Sequence, residues 1–299
     1  MRVLLTGATG YIGSAVLEAL LRAGHHVDAL VRNREKAAQV QLRGAHPVIG
    51  DLSQAASYAA VAAAADGTIH AAMDDSPRGH ALDALALDTF LAPSPRPGRF
   101  FIYTSGVWVL GPAPSAVAED AVVNPIELSA WRAPHEQRVL EAANVDFRTM
   151  VVRPGIVYGG SRGIVGDLFK SAANGLVRVI GSGENHWPLV YDRDLGDLYL
   201  MLATSATASG VFHANDECDE SVNDLVTAIA GHVAIKPSVR KVPLTEAHKK
   251  MGPYAEALAL DQIVRSPRAR ALGWSPSLHA VSRNAARLFE EWRRGPEAA

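Results

Sequence analysis

The stretch Thr6-Gly7-Ala8-Thr9-Gly10-Tyr11-Ile12-Gly13 stands between a short apolar run, Arg2 to Thr6, and an alanine- and leucine-rich segment, Gly13 to Ala23, that closes on Gly24. A strand that feeds a helix through glycines at this spacing is a phosphate-binding arrangement. Gly7 permits the sharp turn, Gly10 lets a pyrophosphate approach the backbone, and Gly13 lets the helix lie close to the strand. The amide groups and dipole of the helix start then favour an anion. Glycine spacing alone is a weak signal, but strand, spacing and helix together point to a bound dinucleotide.

The same alternation continues outward. Short aliphatic or β-branched runs at Arg2 to Thr6, Val27 to Val31, His46 to Ile49, Thr68 to Ala71, Phe100 to Thr104, Phe147 to Arg153 and Val211 to His213 read as strands, with helices in the intervals. Strand and helix in alternation imply an α/β fold with a doubly wound parallel sheet. After Pro154 the rhythm loosens. A glycine-rich segment, Tyr158 to Gly163, leads into a helix ending near Asn174, and two extended pieces flank the turn Gly181 to Asn185. Helical periodicity returns in Asp192 to Ala203, Ser221 to His232, Thr245 to Leu258 and Leu278 to Arg294. The expected organisation is a nucleotide-binding domain, 1–157 and 190–234, with a smaller C-terminal substrate lobe, 158–189 and 235–299.

Composition narrows the class. Among 299 residues, 48% are hydrophobic and 20% charged, which excludes a disordered chain and suits an enzyme-sized globular one. Lys plus Arg count 29 against 31 Asp plus Glu, a balance that calls for neither nucleic acid nor an anionic membrane as partner. Cys218 is alone, so no internal disulfide framework exists. The opening MRVLLTGATG has too short an apolar run for a secretory core, and no run of about 18 apolar residues occurs, so a cytoplasmic location is expected. The eleven histidines are dispersed without ligand spacing, and His135-Glu136 lacks the second histidine of a zinc helix, so no metal is expected.

The spacing GxxGxxG after a threonine resembles the extended and atypical branches of the short-chain dehydrogenase/reductase superfamily, the NAD-dependent epimerase/dehydratase-like proteins, and implies their Rossmann-type fold. Further segments fit in the same order: Asp51-Leu52 resembles the pair that contacts adenine, His70-Ala71-Ala72 the segment along the cofactor ribose, and Arg153-Pro-Gly-Ile-Val-Tyr-Gly159 the segment after the sixth strand. Val190-Tyr-Asp-Arg-Asp-Leu195 resembles a later helix start. The resemblance implies cofactor contacts at Gly7, Thr9, Gly10, Tyr11, Ile12, Gly13, Arg32, Asn33, Asp51, Leu52, Ala71, Thr104, His135, Pro154 and Ile156. Arginine at the end of the second strand accommodates a 2′-phosphate, whereas an acid there would bind the ribose hydroxyl of NAD. Arg32 therefore points to NADP in preference to NAD, and Asp28, lying within the strand, reads as a paired structural carboxylate.

The family's catalytic residues are a Ser or Thr after the fifth strand and a Tyr-x-x-x-Lys pair on a helix. Registering Thr104-Ser105-Gly106 on Gly111 puts Gly106 at the first position, and counting forward puts Trp131 and His135 at the other two. Indole is a donor only and no substitute for a phenol, but imidazole titrates near neutrality and serves as acid or base. Pro134 is tolerated only in a first turn, so the helix is expected to start near Trp131 to Pro134. His135, His186, Tyr158 and Ser105 are the candidates for proton transfer, with Asp74 and Asp75 as further polar groups; Met73, Trp108, Trp131 and Trp187 are candidates for the substrate wall.

The resulting expectation is an NADP-dependent oxidoreductase acting on a small, fairly apolar carbonyl or alcohol through a non-standard proton relay. A redox-neutral isomerase, epimerase or lyase on the same fold is one alternative, and a non-catalytic NADP-binding regulator is the other. Family resemblance also implies a homodimer.

Overall fold

All seven expected strands form, and they lie in one sheet. Its order is Gly210–Ala214, Phe147–Pro154, Arg99–Thr104, Gly67–His70, Arg2–Thr6, His26–Val31, His46–Ile49. Every pair from Phe147–Pro154 across to His46–Ile49 is parallel. The order reverses at the first strand, which has the second strand on one side and the fourth on the other, the switch point at which open α/β sheets bind ligands. The computed structural model describes residues 1–74, 76–92 and 97–295. Among them no helix is long and apolar enough to cross a membrane.

The chain divides into two compact units. The first comprises Met1–Ser105, Trp131–Arg153 and Leu195–Phe212; the second comprises Gly106–Ala130, Pro154–Asp194 and His213–Ala299. Within the first, buried Leu4, Leu30, Tyr58, Phe90, Phe101, Tyr103 and Val151 form one apolar cluster. Helix packing against the sheet depends on missing side chains. Gly7 has φ +74°, and a Cβ on Gly13 would sit 2.1 Å from the Gly7 carbonyl oxygen. The helix Tyr11–Arg22 can begin this close to the strand only because position 13 is glycine.

The second unit holds three two-stranded parallel ladders: Leu189–Tyr191 on Ile156–Tyr158, Ser238–Val242 on Leu176–Ile180, and Gln262–Val264 on Ala113–Val117. Its core gathers Tyr158, Phe169, Trp187, Tyr191, Leu225 and Val281, with Phe289 and Trp292 packed at its margin. The helix Val222–Ala230 starts in a capping box formed by Ser221 and Asp224. One expected helix divides. Thr245 to Leu258 becomes Leu244–Met251 and Tyr254–Ala259, because Gly252 takes φ +59° and Pro253 follows it.

The helix Arg132–Glu141 starts where Pro134 requires. It is fastened to the strand Phe147–Pro154 by a buried ion pair, in which Arg153 Nε donates to both Glu136 oxygens at 3.1 Å and Nη2 donates to Oε2 at 2.6 Å. Removing one member of a buried pair leaves the other charge desolvated without its counterpart. Glu136→Ala is expected to lower the unfolding free energy by about 3 kcal/mol in denaturant titration, with Glu136→Gln in between.

Candidate active site

The glycine turn and the ends of the first four strands enclose a cavity of about 380 Å³. Of the expected cofactor residues, Gly7, Thr9, Gly10, Arg32, Asn33, Asp51, Leu52 and Ala71 line it, and so does Met73. Tyr11, Ile12 and Gly13 form the first turn of the adjoining helix and are not among the lining residues. Asn33 caps the helix Arg34–Leu42, its side chain accepting from the Lys36 amide at 2.9 Å, which fixes the turn that presents Arg32. Lys36 and Arg78 also line the cavity, so three cationic side chains border it. Two carboxylates stand among them. Asp74 lies 4.0 Å from Arg32, and Asp51 is held below its ordinary range by the hydroxyl and amide of Ser53. Asp75 lies outside the described residues.

A buried carboxylate organises the interior of the first unit. Asp83, on the helix Gly79–Leu91, meets His70 Nε2 at 3.0 Å through one oxygen; the other oxygen accepts from the Tyr103 hydroxyl at 2.8 Å and meets His135 Nδ1 at 2.8 Å. Burial works to raise its pKa, but the hydrogen bonds from His135, His70 and Tyr103 outweigh that and hold the group well below the usual carboxylate range. An ionised carboxylate only accepts, so the facing nitrogens carry the protons: Nδ1 on His135 and Nε2 on His70. His70 Nδ1 is then the acceptor for the Thr6 hydroxyl at 2.7 Å, and Thr6 Oγ1 accepts the Ala72 amide at 3.2 Å. A chain of hydrogen bonds thus runs from the start of the glycine turn to His135. Burial and the adjacent Asp83 charge both push the Tyr103 phenol up, so it serves as a fixed donor.

His135 Nδ1 is committed to Asp83, and its side chain is 14% exposed. Trp131 packs beside it edge-on, ring centroids 5.4 Å apart. The His80 ring stacks on the indole with centroids 4.4 Å apart, and the Arg132 guanidinium lies over the indole, also at 4.4 Å. Arg132 was not expected. Its Nη1 donates to the Thr104 carbonyl at 2.9 Å and its Nη2 lies 3.0 Å from the Met73 sulfur, placing a permanent cation between the end of the fifth strand and a cavity residue. The Thr104 hydroxyl shares a 2.6 Å hydrogen bond with Tyr199. Ser105 is 6% exposed, and its buried hydroxyl has no partner among the described residues.

The remaining expected residues belong to the second unit. Tyr158 is fully buried and donates to Asp216 Oδ2 and the Leu278 carbonyl, both at 3.2 Å, while burial and the Asp216 charge push its phenol far up. It is a core residue, and the expectation of proton transfer from it is corrected. Trp187 is likewise in the core, 5% exposed, its indole donating to the Leu258 carbonyl at 3.1 Å, so it is withdrawn as a substrate wall. Trp108 packs edge-on against Tyr254 at 6.4 Å. His186 is half-buried, and its Nδ1 lies 2.8 Å from Asp261 Oδ1, which also accepts the His186 amide. Pro154 ends the sixth strand of the sheet, and Ile156 opens a short strand that contributes Ile156 and Tyr158 to the core of the second unit. Lys36, Arg78, Asp83 and Arg132 are the residues sequence reading missed. Arg132 adjoins Trp131, so a search for cations around Trp131 and His135 would have found it.

The model of an NAD(P)H-binding family matches residues 7–163. An uncharacterized protein of Schizosaccharomyces pombe is 32% identical over 93% of this chain and 95% of its own. The 2-alkyl-3-oxoalkanoate reductase of Stenotrophomonas maltophilia is 28% identical over 86% of this chain and 83% of its own. Among solved structures, the UDP-glucose 4-epimerase of Thermotoga maritima, crystallised with UDP-glucose, has the same fold, with a TM-score of 0.81 at 19% identity across 98% of this chain and 99% of that one. The sheet order, the glycine turn and these matches agree: the chain belongs to the NAD(P)H-binding family, with homologues in the extended short-chain dehydrogenase/reductase superfamily, among them reductases, dehydrogenases and epimerases.

Proposed function

We propose that the protein is an NADP-dependent oxidoreductase that interconverts a small, fairly apolar carbonyl compound and its alcohol, with His135 handling the proton. The observation that carries the reading is the His135–Asp83 pair at 2.8 Å, on the helix where the resemblance leads one to expect a lysine. The cofactor, when bound, supplies or takes up hydride; everything else falls to the chain. The cavity fits such a group, because the positive φ of Gly7 turns the chain there and Gly7, Thr9 and Gly10 line it, with no side chain at Gly10 to keep a pyrophosphate from the backbone.

Arg32, Lys36 and Arg78 favour a 2′-phosphate over a bare ribose hydroxyl. Asp83 keeps the His135 ring in the tautomer that leaves Nε2 for substrate, and its negative charge stabilises the imidazolium when the ring holds a second proton. Trp131 cannot donate a proton to oxygen in the manner of a phenol; stacked on Arg132, it serves as an apolar wall with Met73. The unpartnered Ser105 hydroxyl is the group suited to hydrogen-bond the substrate oxygen. The reductase named above, similar over most of both chains, supports a carbonyl substrate.

Fluorescence titration is expected to give tighter binding of NADPH than of NADH, and Arg32→Ala to weaken NADPH roughly tenfold while leaving NADH almost unchanged. NADPH oxidation against a panel of small ketones and aldehydes tests the reaction, and binding without turnover of any would favour the regulator reading. His135→Ala is expected to lower kcat by about 100-fold or more with NADPH affinity retained.

Asp83→Asn is expected to lower both kcat and thermal stability. Its carboxyl is held below the ordinary value of 3.8 in the folded protein, so its stabilising contribution is complete above that pH and shrinks as the pH falls below it. The gap in Tm between the native protein and Asp83→Asn should therefore be widest near neutrality and narrow under acid conditions.

A further inference from the structure

At the starts of the strands, the end of the sheet away from the glycine turn, three metal-ligating side chains converge. His26 and Asp28 are two residues apart on one strand and share a face. The parallel register sets His46 of the edge strand directly opposite Asp28. Asp28 Oδ1 is aimed at both rings, 2.9 Å from His46 Nδ1 and 3.4 Å from His26 Nε2, and the three ligand atoms all lie within 4.8 Å of one another. The carboxylate is fully buried, whereas the two imidazoles, their centroids 6.0 Å apart, are exposed over more than half of their side-chain surface.

We propose that His26, Asp28 and His46 bind a divalent transition ion of the zinc class. Ligand atoms about 2.0–2.2 Å from such an ion stand a little over 3 Å apart in a tetrahedral shell, so small rotations of two exposed rings complete the site. Arg2 Nε donates to Asp28 Oδ2 at 2.5 Å, which holds the carboxylate in place and leaves Oδ1 for the ion, the kind of outer contact that orients a ligand. The Arg2 guanidinium also offsets the aspartate charge, so the donor set is two neutral imidazoles and a compensated carboxylate. That set prefers zinc, nickel or copper to magnesium or calcium. The remaining coordination positions face the hollow lined by Arg2, His26 and His46.

The site lies on the same strand as the cavity lining but towards its other end: Asp28 precedes cavity-lining Leu30 by two residues and His26 precedes it by four, roughly 7 and 13 Å at about 3.3 Å per residue. Its effect is to clip the edge strand His46–Ile49 to its neighbour. Gly50, Asp51 and Leu52, which follow that strand, line the cavity. The proposal stands independently of the oxidoreductase reading, since the ion takes no part in turnover.

Isothermal titration of zinc into tag-free, chelator-stripped full-length protein tests it, with nickel as a second probe and magnesium as the hard-cation control. The expected result is a single equivalent of zinc and nickel and no magnesium. His26→Ala and His46→Ala should each weaken zinc by about tenfold or more. Zinc should raise the Tm of the native protein but not of the variants, and NADPH binding should be unchanged in both. If His46→Ala fails to fold, His26→Gln provides the same comparison at the more open ring. Zinc affinity undiminished in the variants, equal binding of magnesium, or no zinc uptake by the native protein would each overturn the proposal.

Discussion

Asp83 is a negative charge almost withdrawn from water, and so much desolvation is tolerable only where several donors converge on it. Those donors come from His70 at the end of the fourth strand, Tyr103 in the fifth, and His135 on the helix Arg132–Glu141; through His70 the network also reaches Thr6 at the end of the first strand. One side chain therefore ties together three neighbouring strands and two helices at the switch point of the sheet. His135 is part of this network, with its ring held in one orientation. A lysine in the same place would bring three mobile donors to a carboxylate and leave no acceptor nitrogen. Trp131, His135 and the buried aspartate thus form one packed arrangement.

In the function proposed above, the same unit separates two tasks along the sheet. Binding belongs to the glycine turn and to the cationic margin formed by Arg32, Lys36 and Arg78, where the backbone lies open to an anion. Proton handling belongs to the interior network and the side chains around it. Arg132 bridges the two, with one hand on the Thr104 carbonyl and the other at Met73. Because a guanidinium stays charged at any working pH, it contributes positive potential near the altered site without itself exchanging protons.

The sheet was legible because each strand is a short apolar run bounded by turn residues, and the glycine turn because its three glycines answer to steric demands that no other residue meets. The ladder between Ala113–Val117 and Gln262–Val264 was not legible, since neither segment has apolar alternation strong enough to announce a strand and the pairing joins distant parts of the chain. Asp83 was invisible for a different reason. In the segment His80-Ala-Leu-Asp-Ala-Leu-Ala86 it reads as an ordinary solvent-facing acid on an alanine- and leucine-rich helix, and only the fold shows that it points inward. Tyr158 and Trp187 were placed correctly on the chain, but burial decides their role and burial is a property of the tertiary structure. The grouping of His26, Asp28 and His46 likewise depends on strand register, which no linear spacing encodes.

His135 and Glu136 are consecutive, yet one points to Asp83 and the other into the ion pair with Arg153. The backbone between them is consequently fastened on both sides of a single peptide unit. A side chain so confined has already lost most of its rotational freedom when the protein folds, and that loss is not repeated each time a substrate arrives. The buried arginine thereby makes the imidazole a group that waits in position rather than one that must find it.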